Sequence, residues 1–334
     1  MRFLRAFVLG VVCAAGIFLA TAALVNPRGV FPWQAFPQPL PNYRARKLAV
    51  LAATAGDFGG LVLGSSRSMK LDPVVLQART GLRYFNLAML GADPEDYPAV
   101  WRYYLQKHRA PQALVIGIDL NGFSEAEASA NFRRNPELIA ALEGRARRPV
   151  EQLRDLLREA KGELTVDYAK DIGASIHQAF SPQPENFQFR SDGVLVYNRF
   201  DQAIAAGTYD RAARITDCSD RYLKELAAPD PARLRLVEQV IRDARTKGVR
   251  ITVFITPHHP SLMSRIDGDS LFRRYLTDLT GAVRAWQGAY AVEVRDLSRI
   301  ESFGGDSADW YDCTHFGAAN AARVVDALGP FPKE

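Results

Sequence analysis

Residues 60–68 read GLVLGSSRS, an apolar run that halts at a glycine and two serines. If 61–63 form a short strand buried on both faces, Ser65 and Ser66 sit in a loop at its carboxyl end. If the serines only cap a helix, they satisfy backbone donors and nothing more. The rest of the chain bears on which reading holds.

Four later runs have the same character: RYFNLA from Arg83, ALVIGIDL from Ala113, ITVFIT from Ile251 and VEVRDL from Val292. Helical patterns lie between them. DPEDYPAVWRYYLQKH, from Asp93, opens acidic and closes basic, as the helix dipole favours. PARLRLVEQVIRDARTKG, from Pro231, ends in Lys-Gly just before the fourth run. Strands alternating with helices predict an α/β domain over residues 49–330, a three-layer, doubly wound parallel sheet. The stretch 122–230 breaks the alternation. Its ELIAALEG and VEQLRDLLREA segments look amphipathic, so it reads as a helical insertion after the third strand. Trp101, Tyr103 and Tyr104 fall on a predicted helix and read as core rather than as a sugar platform.

The amino terminus sets the compartment. From Ala6 to Val25 there is no charged residue, enough to cross a hydrocarbon core of about 30 Å as a helix. Residues 1–25 are therefore a transmembrane anchor or an export signal. Ala20-Thr21-Ala22 resembles a cleavage site, whereas the full spanning length favours retention. Cys13 reads as lipid-facing. Arg2 and Arg5 precede the run, so the positive-inside tendency makes this a single-pass inner-membrane protein with its body in the periplasm or outside the cell. Five prolines in residues 26–43 make 26–48 an extended linker.

With 334 residues, 48% hydrophobic and 24% charged, the chain has ordinary globular composition. Its net charge of +5 is scattered, and the short basic run at 145–148 has no interleaved aromatics, which argues against a nucleic-acid partner. Beyond Cys13 only Cys218 and Cys313 remain, enough for one disulfide in an oxidising compartment.

Ligands of open parallel sheets bind beyond the carboxyl ends of the strands. A serine nucleophile there needs a base, and the base an orienting carboxylate. The histidines are His108, His177, His258, His259 and His315. In WYDCTHFGAANAARVVDAL, Asp312 and His315 stand three apart before a helix starting near Ala318, a spacing that can set the carboxylate against one ring nitrogen. The alternative is a capping aspartate beside a surface histidine. His258 and His259, in TPHHP after the fourth run, are either substrate contacts or loop polar groups. Arg67 either meets an anionic substrate group or pairs with a neighbouring carboxylate. A zinc site has little support.

GSSRS near the start and DCTH near the end resemble the first and last blocks of the SGNH (GDSL-type) hydrolases. The resemblance implies Ser66 as nucleophile, with Ser65 in place of the usual aspartate, His315 as base and Asp312 as its orienter. Gly91, in NLAMLGAD, matches the family's second block and would join the Ser66 N–H in an oxyanion hole. The third block departs from the family: Gly117-Ile118-Asp119-Leu120-Asn121 stands where G-x-N-D is usual. Asn121 is then the candidate third donor, and Asp119 holds a loop or meets substrate. No metal or organic cofactor is implied. With a membrane anchor, the chain is similar to proteins that work beside membrane-bound O-acyltransferases in lipoteichoic acid D-alanylation and, more loosely, alginate acetylation. That implies a serine acyltransferase acting on a cell-envelope polysaccharide or glycan, with a multi-span membrane O-acyltransferase as partner. An esterase of the same fold and a non-catalytic accessory protein are the alternatives.

Overall fold

The computed structural model describes residues 2–329 except 30, 32, 40, 127, 147, 149, 152, 153, 155–165 and 183–186. The chain forms two compact units, Met1–Tyr43 with Ala146–Pro184, and Arg44–Arg145 with Glu185–Glu334.

The larger unit is built on five parallel strands, β1 (Gly60–Leu63), β2 (Tyr84–Asn86), β3 (Ala113–Ile118), β6 (Arg250–Ile255) and β7 (Glu293–Asp296), in the order β2-β1-β3-β6-β7. Two further strands, β4 (Phe187–Phe189) and β5 (Leu195–Tyr197), form a separate antiparallel hairpin. Side-chain alternation along the parallel strands separates two apolar cores. Leu61, Leu63, Leu114, Ile116, Val253 and Ile255 join one, which includes the helices Asp96–Leu105, Pro231–Thr246 and Ser270–Tyr290. Val62, Val115 and Phe254 join the other, with the helices Pro73–Thr80 and Ala318–Leu328. The sheet is thus covered on both faces, which explains why β1, β2, β3 and β6 read as nearly continuous apolar runs, whereas β7, half-buried at the sheet edge, alternates. Trp101, Tyr103 and Tyr104 are buried in the first core.

Two parts of the expected organisation change. A helix begins at Tyr43 and runs to Ala53, inside the stretch read as linker. The stretch 122–230 is not one helical insertion: 146–184 goes with the smaller unit, whereas the β4–β5 hairpin and the helices Asn198–Ala205 and Arg211–Glu225 go with the sheet. ELIAALEG falls on the helix Pro136–Glu143. Most of VEQLRDLLREA lies outside the described residues.

In the smaller unit one helix, Arg2–Val25, is long and apolar enough to cross a membrane. The helix Val166–Phe180 packs against its final turns through Tyr168 and Ile172 on Ala22 and Val25.

Behind the carboxyl end of β1 the backbone closes tightly around Ser68. A Cβ on Gly117 would lie 2.0 Å from Ser68 Oγ, and one on Gly64, whose φ is +147°, would lie 2.3 Å from it. Ser68 Oγ is itself buried without a hydrogen-bond partner. Gly117→Ala is therefore expected to cost about 1–3 kcal/mol by overpacking. Ser68→Ala in the same chain should recover most of that loss, because it removes the oxygen in the way. Thermal or denaturant unfolding of the single and double variants reads this out, and additive effects would place the clash elsewhere.

Candidate functional site

The winding direction reverses between β1 and β3, so their loops open a crevice at the carboxyl edge. The two serines of the β1 loop have different jobs. Ser65 caps: its carbonyl accepts from the N–H groups of Ser68 and Met69, and its hydroxyl from that of Arg67. Ser66 is left free for other work, and its Oγ lies 2.8 Å from His315 Nε2.

His315 arrives in the turn before the helix Ala318–Leu328. Its Nδ1 lies 2.8 Å from Asp312 Oδ2 and 3.0 Å from Oδ1. The backbone N–H groups of Thr314 and His315 also donate to Asp312 Oδ1, each at 2.8 Å. Burial pushes the Asp312 carboxyl up, but His315 and the two backbone donors outweigh it and hold the group well below the usual carboxylate range. Asp312 is not the helix cap, a place taken by Gly317; its carboxylate ties the preceding turn and fixes the imidazole together.

Three N–H groups border the same cleft of about 460 Å³ that Ser66 and His315 line. The N–H groups of Ser66 and Gly91 make no hydrogen bond within the described residues. Gly91 holds a φ of +56°, and its carbonyl accepts from Arg44 Nη2 at 2.8 Å. Arg44 is buried and bonds both oxygens of Asp96, so an internal ion pair holds the Gly91 loop. Asn121 Oδ1 accepts from Arg67 Nη2 at 3.0 Å. Because that bond assigns the oxygen to Arg67, the amide N–H₂ is the end available to a ligand.

Arg67 and Asp119 border the cleft but are spent on each other, 3.3 Å apart, and Asp119 also accepts from Thr256 Oγ1 at 2.8 Å. Burial alone would depress Arg67, but facing Asp119 and Tyr222 it is raised instead. Arg67 thus has the neighbouring carboxylate as its partner, and Asp119 is tied to Arg67 and Thr256 at the cleft wall.

The histidines after β6 are also corrected. Neither lines the cleft. His258 is fully buried, with Nε2 2.9 Å from the Tyr222 hydroxyl. His259 Nδ1 accepts from Ser261 N–H and caps the helix Pro260–Gly268. Their contribution comes through backbone: His259 N–H donates to the Cys313 carbonyl at 2.9 Å and steadies the turn that carries His315.

Cys218, on the helix Arg211–Glu225, is disulfide-bonded to Cys313, between Asp312 and His315. Sequence reasoning passed over Arg44, Thr314, Tyr222 and Tyr197, whose ring meets that of His315 edge-on at 6.4 Å. Only Thr314 had a local signal, being inside the D-x-x-H turn.

No protein-family model matches the chain, and no curated protein matches it.

His258 yields a stability prediction. Burial, with Arg67 nearby, lowers it well below 6.5, so it stays neutral in the folded state. Below about pH 6.5 the unfolded chain takes up a proton that the folded chain refuses, so its contribution is present above that pH and lost below it, by up to about 1.4 kcal/mol per pH unit. His258→Gln keeps an acceptor for Tyr222 and should flatten the pH dependence of unfolding free energy between about pH 5 and 6.5. An unchanged slope would mean that His258 titrates alike in both states.

Proposed function

We propose that the chain is a membrane-anchored, extracytoplasmic serine acyltransferase of SGNH type, acting on a hydroxyl-bearing cell-envelope polysaccharide or glycan. The observation that carries this reading is the unbroken contact from Ser66 through His315 to Asp312 beside three N–H groups free to meet an oxyanion.

Ser66 Oγ bonds to the acyl carbon of an ester or thioester while its proton passes to His315 Nε2. The oxyanion is met by the N–H groups of Ser66 and Gly91 and the Asn121 amide. Collapse expels the donor's alcohol or thiol, which leaves with that proton. An acceptor hydroxyl then gives its proton to His315 and takes the acyl group from Ser66. Water in place of that hydroxyl makes the same site an esterase, so product analysis with an acyl donor and a candidate polysaccharide distinguishes the two. The amino-terminal helix supports anchoring, and Arg2 and Arg5 at its start favour an outward-facing body. A multi-span membrane O-acyltransferase is the partner that would deliver acyl groups to such a site.

A fluorophosphonate probe should label the purified protein, and Ser66→Ala should abolish the labelling while leaving the fold intact. Full function of Ser66→Ala in cells would instead favour a non-catalytic accessory role.

The pH profile follows from the two partners of the imidazole. Attack needs His315 Nε2 as the acceptor of the Ser66 proton, held in place by Asp312 on the other ring nitrogen. Asp312 stays ionised well below the usual carboxylate range, so the labelling rate should show no step between about pH 4 and 5. Asp312→Asn should lower the rate on the order of 10⁴-fold, the size seen when a triad aspartate becomes asparagine. A rate indifferent to that change would remove Asp312 from the chemistry.

A further inference from the structure

The smaller unit contains a surface that the proposed chemistry does not use. Apart from Arg2 and Arg5, the apolar helix presents about 30 Å of uncharged length from Ala6 to Val25, so Ala22 and Val25 fall at the outer edge of a hydrocarbon core. Those two residues are the ones that Tyr168 and Ile172 cover, and Phe18, one to two turns deeper, adjoins the same cluster. A helix packed there lies at headgroup depth.

The connecting segment is fitted to the same level. Asn26 ties the chain back on itself, with its side chain accepting from Phe31 N–H and donating to the Phe31 and Trp33 carbonyls. Trp33 Nε1–H donates to the Ala23 carbonyl at 2.8 Å, and its ring stacks on Phe31 at 4.6 Å. Trp33 remains 48% exposed. An indole half in contact with protein and half open, beside the last turn of a spanning helix, occupies the place of an interfacial aromatic anchor. Arg28 pairs with Asp171 at 2.6 Å and stands over the Tyr168 ring, which locks the strap to the helix Val166–Phe180.

The exposed side of that helix divides by charge. Near its start it carries Asp167 and Lys170, both exposed and paired at 2.8 Å. Lys170 heads the exposed face that continues through Gly173, Ala174, His177 and Phe180, and beyond Lys170 that face carries no acidic or permanently charged residue; Phe180 at its end is 82% exposed. A water-facing stripe would not carry a bare phenylalanine at its end without cost, whereas a stripe lying in the headgroup layer buries it.

We infer that the helix Val166–Phe180 enters the membrane–water interface by its carboxyl-terminal half, with Gly173, His177 and Phe180 against lipid and the Asp167–Lys170 pair, at the other end of the helix, reaching water. The inference rests on Arg2–Val25 spanning the bilayer and adds a second, non-spanning contact. Its lipid-facing stripe provides no basic cluster, so the attraction is to the apolar boundary and not to anionic headgroups.

Single cysteines at positions 9, 170, 177 and 180, in full-length protein with Cys13→Ser and the native disulfide kept oxidised, can be spin-labelled and reconstituted in phosphatidylcholine vesicles. Collision with dissolved oxygen should exceed collision with a water-soluble nickel chelate at 9, 177 and 180, and the order should reverse at 170. Chelate-dominated labels at 177 and 180 beside an oxygen-dominated label at 9 would overturn the interfacial helix while leaving the span standing. A chelate-dominated label at 9 would overturn the span and the inference with it.

Discussion

The reversal of winding at β1 governs the rest of the larger unit. Parallel pairing of β1 with β2 on one side and β3 on the other sends successive crossovers in opposite directions. The loops after β1 and β3 then diverge and leave room that no helix fills. Ser66 enters that room from β1, and Asp119 and Asn121 enter it from β3. His315 reaches it only because the last crossover returns the chain to the same edge. Gly64 and Gly117 are the steric cost of this convergence, since Ser68 occupies the volume their side chains would need.

Charge management beneath the cleft follows from the same geometry. A crevice at the edge of a buried sheet exposes polar loops to a low-dielectric floor, where an unpaired ion is expensive. Each buried cation near the site is matched: Arg44 with Asp96, Arg67 with Asp119. These pairs are position-fixing devices, one holding the Gly91 carbonyl and the other the Asn121 amide oxygen. The N–H groups of Ser66 and Gly91 and the Asn121 amide N–H₂ are the donors that remain after that matching. Tyr222 continues the network downward to His258, and its hydroxyl is pushed up to about 12 by burial, so it stays protonated.

The parts of this arrangement written locally were legible in the sequence. Apolar runs announced β1, β2, β3 and β6 because burial on both faces leaves no room for polar alternation, the half-buried edge strand β7 showed as an alternating one, and the Asp312–His315 contact spans only three residues. What was hidden depends on distant packing. The strands of the β4–β5 hairpin are three residues each, too short to show periodicity, and Lys47 binds the Gly193 carbonyl from 146 residues away. Arg44 gave no sign because its meaning lies in Asp96 and Gly91, reached only after folding. His258 and His259 were placed at the right edge of the sheet, but which way a loop side chain turns is decided by its neighbours: Tyr222 claimed one ring and a helix terminus the other.

The cross-link between Cys218 and Cys313 gives the site a history as well as a shape. The two cysteines are 95 residues apart, so closing that loop restricts the unfolded chain by roughly 4–5 kcal/mol in the chain-entropy picture. In a reducing cytoplasm that restriction is missing, and the turn carrying Asp312 and His315 is held by noncovalent contacts alone. Only after the carboxyl-terminal segment has followed the rest into an oxidising space can the turn be fastened to its helix. Under the proposed outward-facing orientation, competence is thereby tied to arrival: the polypeptide carries Ser66, Asp312 and His315 from synthesis, but their fixed arrangement is a property of the destination.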